Sequence, residues 1–142
     1  MAAAIAGQST ASYLRVGLVG GSFGAITEMG RVLRERSATC DIAFVTPRMS
    51  WDLISTWKYM APGVRARAKL VELDPRARWI EPGGRDVAFV VHPTKAGLVR
   101  TLRARYPSGT LEERRGPRGE LRAIVYVVPA ADVARVEPTL GE

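Results

Sequence analysis

Three places in this chain bring together residue types that do chemistry. The first is Gly17-Leu18-Val19-Gly20-Gly21-Ser22-Phe23-Gly24. Backbone N–H groups in a glycine-rich turn before a helix close around a phosphate. That makes Gly20, Gly21, Ser22 and Gly24 a candidate phosphate loop. The dinucleotide spacing G-x-G-x-x-G is not met, and no Gly-Lys-Ser/Thr follows. A flexible turn is the plainer reading. The second place is His92, the only histidine of the chain. It closes an apolar run, where α/β sheets hold their ligands. A single histidine ahead of a proline is more often structural, and a nucleophilic triad would need distant partners. The third is Trp51, Asp52, Trp57, Lys58 and Tyr59. Aromatic faces stack on sugars and bases. At helical spacing, however, Trp51, Ile54 and Trp57 first form a packing face, leaving Asp52 and Lys58 exposed.

Other chemistry has less to build on. One cysteine and one histidine make no metal-ligand cluster. Glu72 and Asp74 flank a strand end, with no further carboxylate to pair for acid–base work. No cofactor is implied.

Alternating elements must position these residues. Tyr13–Val19 reads as a strand, and 25–36 as a helix with Ile26, Met29, Val32 and Leu33 inward and Glu28, Arg31, Arg34 and Glu35 outward. Asp41–Thr46 is a buried-type strand that Pro47 ends. Ser50–Met60 reads as a helix capped by Ser50. Lys69–Leu73 is a short strand, and Pro75–Arg85 a polar connection. Asp86–Val91 is a strand, and Lys95–Tyr106 carries helical spacing at Leu98, Val99, Leu102 and Tyr106. Pro107-Ser108-Gly109 stops that helix. Thr110–Arg115 and Leu121–Val128 flank the hairpin signal Gly116-Pro117-Arg118-Gly119. Ala123, Val125 and Val127 line one face of the last strand with Leu121; Ile124, Tyr126 and Val128 line the other. Both faces being apolar, this strand is expected to be covered on both sides. Glu112-Glu113-Arg114-Arg115 suits a charged edge.

The expected fold is therefore a layered α/β domain. It has about five strands, mainly parallel, a C-terminal antiparallel hairpin, and flanking helices. Residues 1–12 are expected as a flexible lead-in, 13–128 as one domain and 129–142 as a tail. At 142 residues the chain fits a single core without disulfides or metal. Cys40, alone, is expected as a small buried hydrophobe at the start of a strand. Net charge is +7, and arginines make up 18 of the 21 basic residues. They are spread along the chain with no RNP-like aromatic sequence or zinc finger, so nucleic acid is not the expected partner. No apolar run approaches the ~20 residues that span a bilayer.

The order of several segments resembles a known family. A helix ends in Gly-Arg-Val-Leu-Arg, then come Asp-Ile-Ala-Phe-Val-Thr-Pro-Arg-Met and Met60-Ala61-Pro62-Gly63-Val64. Gly84-Arg85-Asp86-Val87-Ala88-Phe89-Val90-Val91 follows. Leu98–Arg105 leads into Tyr106-Pro107-Ser108-Gly109, and a hairpin closes on Ile124-Val125-Tyr126. Over residues 22–128 this looks like the soluble C-terminal domain of bacterial family-39, protein-mannosyltransferase-like membrane glycosyltransferases. The resemblance implies a parent enzyme moving a sugar from a polyprenyl-phosphate donor. This chain would be its accessory domain, without the catalytic carboxylates. It implies as partner a membrane-embedded catalytic region, and carbohydrate as ligand near Arg48, Trp51 and Asp52, with His92 as a further candidate. The implied location is the extracytoplasmic face of the membrane. The alternative is a free-standing cytoplasmic module for a nucleotide or another small molecule.

Overall fold

The structure, a computed structural model, describes residues 19–47 and 68–137. Helix α1 (Val19–Arg36) precedes β1 (Cys40–Val45), β2 (Ala68–Leu70) and β3 (Asp86–Val91). A 3-10 turn at Pro93–Leu98 runs into α2 (Val99–Arg105). β4 (Thr110–Arg115), β5 (Leu121–Val128) and α3 (Ala130–Val136) complete the order. The expected strand at 13–19 is not observed as such: Val19 lies in α1, and the rest lies outside the described residues, as does the expected helix over 50–60.

The five strands form one sheet in the order β2-β1-β3-β5-β4. It is mixed rather than mainly parallel. β2, β1 and β3 run parallel, while β5 is antiparallel to both β3 and β4. The strand after α2 does run in the same direction as β3, as alternation of strand and helix implies. It is displaced to the edge, and the hairpin return inserts β5 beside β3. This is a split βαβ arrangement. Burial decides the placement. β5 is apolar on both faces and takes the interior slot, whereas the charged β4 takes the edge. The hairpin turn uses Gly119 at φ 81°, a conformation glycine adopts without strain.

Two packed layers cover the sheet. On one face, Met29, Val32 and Leu33 of α1 meet Cys40, Ile42, Phe44, Ala88, Val90, Ala123 and Val125. Cys40 is buried at the first residue of β1, as expected. On the other face, Leu102, Tyr106 and Val133 pack on Val87, Phe89, Val91, Tyr126 and Val128. Three expectations change here. Glu28 was placed outward but is buried, where it pairs with Arg31 and with Arg114 of β4. The 75–85 connection is not merely polar, because Trp79 and Ile80 enter the second core. Residues 129–142 are not all tail. α3 buries Val133, and Glu137 behind it pairs with Arg105 at 2.9 Å. A single buried apolar residue and a long-range ion pair leave no periodic signal in so short a segment.

Glu28 belongs to a larger network. Arg114 also pairs with Glu35 and Glu112, and Arg36 pairs with Glu112. The Arg114 hydrogen bond holds the Glu35 carboxyl below its ordinary value. Together these pairs tie α1 to the edge strand. Arg85, Arg115, Arg122 and Arg135 also have carboxylate partners. Much of the arginine charge is therefore met inside the molecule.

Candidate functional site

The parallel strands end together, and a cleft of about 380 Å³ opens at their carboxyl ends. Val45, Leu70, Val71, Leu73 and Leu98 give it apolar walls; Thr46, Glu72, Asp74 and Lys95 give it polar groups. The location follows from topology. Parallel strands all point their last residues to the same end, so the loops leaving them diverge and leave a crevice. Pro47 stops β1 at the cleft wall, and the chain after Leu70 runs along it. One bond from Val71 N to Phe44 O, 2.9 Å, holds that segment against β1. Asp74 is set by its own turn, its Oδ1 accepting from Arg76 N at 2.9 Å. The Trp79 indole N–H donates to Asp74 O at 2.8 Å, joining this rim to the core below.

His92 lies one residue beyond β3 at the same end. It is 5% exposed. Its Nδ1 caps the 3-10 turn by accepting from Thr94 N at 3.2 Å, and lies 2.9 Å from Thr94 Oγ1. A backbone N–H only donates, so Nδ1 carries the lone pair and the ring proton sits on Nε2. Nε2 is buried with no hydrogen-bond partner. The hydroxyl of Thr46 is in the same condition, in a residue 7% exposed.

Burial pushes the His92 pKa below the ordinary imidazole value. The unfolded chain takes up a proton near that value of 6.5, whereas the folded chain takes one up only at lower pH. Stability is thus complete above the unfolded value and declines as pH falls through it. Because His92 is the only histidine, urea unfolding at about pH 7.5 and about pH 5.5 isolates this effect. We expect lower stability at the acidic point, and a flatter profile in His92→Asn, whose amide oxygen still caps Thr94 N. An equal slope in that variant would assign the pH dependence elsewhere.

The residues singled out from the sequence fare unequally. His92 is at the strand ends, as expected. Arg48, Trp51 and Asp52 lie outside the described residues. Gly20, Gly21, Ser22 and Gly24 lie within α1, so they form neither the phosphate loop nor the flexible turn. Glycine costs a helix about 1 kcal/mol relative to alanine, but the Met29–Val32–Leu33 stripe docks this helix whole. At Gly24 it passes close over β5, since a Cβ there would lie 3.0 Å from Arg122 Nε. Thr46, Lys95 and Leu98 were not singled out as site residues, and Glu72 and Asp74 were weighed only as a carboxylate pair for acid–base work. One local signal does mark Thr46: like His92, it is a polar residue set between an apolar strand and a proline.

Among the described residues no helix is long and apolar enough to cross a membrane, and no group of three or more His, Cys, Asp or Glu side chains is placed to hold a metal ion. Comparison with protein families, curated proteins and solved structures finds no match to this chain.

Proposed function

We propose that this chain is a binding domain that seats a small neutral ligand, carbohydrate by class, in the cleft at the carboxyl ends of β1 and β2. The observation that carries this reading is the cleft itself: leucine and valine walls with Thr46, Glu72, Asp74 and Lys95 among them. Carboxylate, ammonium and hydroxyl groups hydrogen-bond sugar hydroxyls, while the apolar walls meet the C–H face of the ring. In the setting that the family resemblance implies, the domain is an accessory, extracytoplasmic part of a membrane glycosyltransferase using a polyprenyl-phosphate-linked sugar. Its support is the succession of β3, α2, the Tyr106–Gly109 turn and the β4–β5 hairpin. Nucleotide binding is less well supported, because the glycines that would cradle phosphate are helical.

Thermal unfolding of the purified chain with a panel of neutral sugars, sugar phosphates and nucleotides tests this. A neutral sugar at ten times its Kd is expected to add about 1.4 kcal/mol, or a few degrees in Tm. Leu98→Trp, which places an indole in the cleft, is expected to abolish the rise. Lys95→Ala, at an exposed position, is expected to weaken it without moving the unliganded Tm. A rise with nucleotides alone, or one that survives Leu98→Trp, would refute the proposal.

A further inference from the structure

We propose that α3 is a strap whose docking sets the rim of the cleft, with Glu137 and Arg105 as the positioning residues that hold the 71–80 segment in place. For its ligand this rests on the cleft being the binding site; what it adds is the element that controls that site. Two stretches of chain line the cleft, and both run on to one clamp. The first, through Leu73 and Asp74, continues to Ala77 and Trp79. The second, through Lys95 and Leu98, continues into α2, which ends at Arg105. At the clamp, Arg105 Nη2 donates to Ala77 O and to Glu137 Oε1, both at 2.9 Å. Glu137 Oε1 also accepts from Trp79 N at 3.0 Å. The Arg105 guanidinium lies over the Trp79 ring, and the indole N–H reaches back to Asp74 O. One carboxylate at the end of α3 thus meets both stretches, 58 residues from Trp79 and 32 from Arg105.

The strap is pivoted at one end and latched at the other. Pro129 follows β5 directly, and Ala130 N donates to Asp86 Oδ1, which fixes the start of the helix. Along α3 the grip is slight. Val133 is its one buried residue, Val136 is half-buried, and the Ser108–Asp132 bond is exposed. The latch carries a cost of its own. The Glu137 side chain is fully enclosed, yet its Oε2 has no hydrogen-bond partner. A buried carboxylate oxygen without a donor forfeits its hydration, so the docked state is held with little to spare. A helix hinged at one end and locked at the other by a half-satisfied charge is an element with two states. Docked, it anchors Trp79 and, through the indole, Asp74. Released, it leaves that side of the cleft without its hold on the core. An occupant that fits only the docked rim therefore tightens the strap, and the strap tightens the occupant by the same factor.

Hydrogen exchange of the 15N-labelled full chain, followed by NMR, reads both ends of this link. Glu137→Gln keeps an acceptor for Trp79 N and removes the charge that holds Arg105. It is expected to speed exchange of the Trp79 indole N–H, and of Ala77 N–H bonded to the same Asp74 O, about tenfold. Amides of β3 and β5 are expected to keep their rates, since the opening is local. Trp79→Phe removes the rim bond, keeps the backbone N–H on Glu137, and assigns the indole signal among three tryptophans. It is expected to speed exchange of Glu137 N–H, which donates to Val133 O. Arg105→Lys, a milder lesion of the clamp, is expected to speed both signals and serves if Glu137→Gln does not fold. Unchanged indole exchange in these clamp variants overturns the proposal, and so does a rise shared equally by β3 and β5. Glucose at ten times its Kd is expected to slow the indole and Glu137 N–H about tenfold, and Glu137→Gln to weaken its binding. Glucose binding that is lost in Leu98→Trp, yet moves neither exchange rate and tolerates Glu137→Gln, would sink the strap and leave the cleft reading standing. Coupled exchange with no sugar bound would sink the cleft reading and support the strap as the link between α3 and the 71–80 segment.

Discussion

Trp79→Ala is expected to lower stability by about 3–5 kcal/mol, the range for truncating a buried aromatic residue. In a protein whose whole stability is of order 5–15 kcal/mol, that is a loss of more than about 10 °C in Tm. The indole is 3% exposed and closes the core between α2 and the sheet. It stands edge-on to Phe89 and Tyr106, with centroids 6.2 and 5.8 Å away. The Arg105 guanidinium lies 4.1 Å from its ring centre. That arginine is held by Glu137, whose Oε1 also accepts from Trp79 N at 3.0 Å. Truncation therefore opens a cavity and strips the apolar cover from a buried ion pair. Trp79→Phe keeps most of the apolar volume but loses the N–H that holds Asp74 O. It is expected to cost less, about 1–3 kcal/mol, while loosening the Asp74 side of the cleft. Chemical denaturation of both variants measures the difference. A loss under about 1 kcal/mol for the alanine variant would mean that the 75–85 segment does not dock on this core.

Trp79 also shows where local pattern runs out. β1, β3 and β5 are readable because each carries an apolar run that a proline closes, at Pro47, Pro93 and Pro129. The β4–β5 hairpin is readable from Gly116 to Gly119, and the edge position of β4 from its four charges. Trp79 and Ile80 are an isolated apolar pair in a polar stretch, and Val133 lies in a helix of only seven residues. They have no period, and only tertiary contact makes them core. Glu28 looks like an outward-facing helical charge because its partner Arg114 is 86 residues away. The site divides the same way. His92 is visible as a polar residue at a strand end, but its bond from N–H to Val45 O depends on the β1–β3 register, which no local window contains. The glycine run misled for the complementary reason. Gly-Gly-Ser-Phe-Gly carries the local preference of a turn, and the stripe beyond it binds the whole segment as helix.

Gly109→Ala is the second large effect, and it separates space from backbone conformation as the reason for a glycine. Gly84 and Gly119 have positive φ; Gly109 does not. What Gly109 lacks is room. A Cβ there would collide with the ring of Tyr126 at Cε2, Cζ and the hydroxyl oxygen. The ring has nowhere to go. Tyr126 sits in the interior strand β5, is buried, and donates its hydroxyl to Tyr106 O, the same carbonyl that accepts from Gly109 N at 3.1 Å. Alanine must push either the turn or the strand, at an overpacking cost of about 1–3 kcal/mol. Removing the obstacle should remove the cost. In a Tyr126→Leu background the added penalty of Gly109→Ala is expected to fall below about 0.5 kcal/mol, a coupling that a double-mutant cycle reads directly. Equal penalties in the two backgrounds would place the strain in the turn itself. Collapse of the penalty gives Tyr-Pro-Ser-Gly a packing meaning. The tyrosine supplies a carbonyl and the glycine leaves a gap, and Tyr126 from the far strand fills both, locking the end of α2 to the hairpin that carries the sheet's edge.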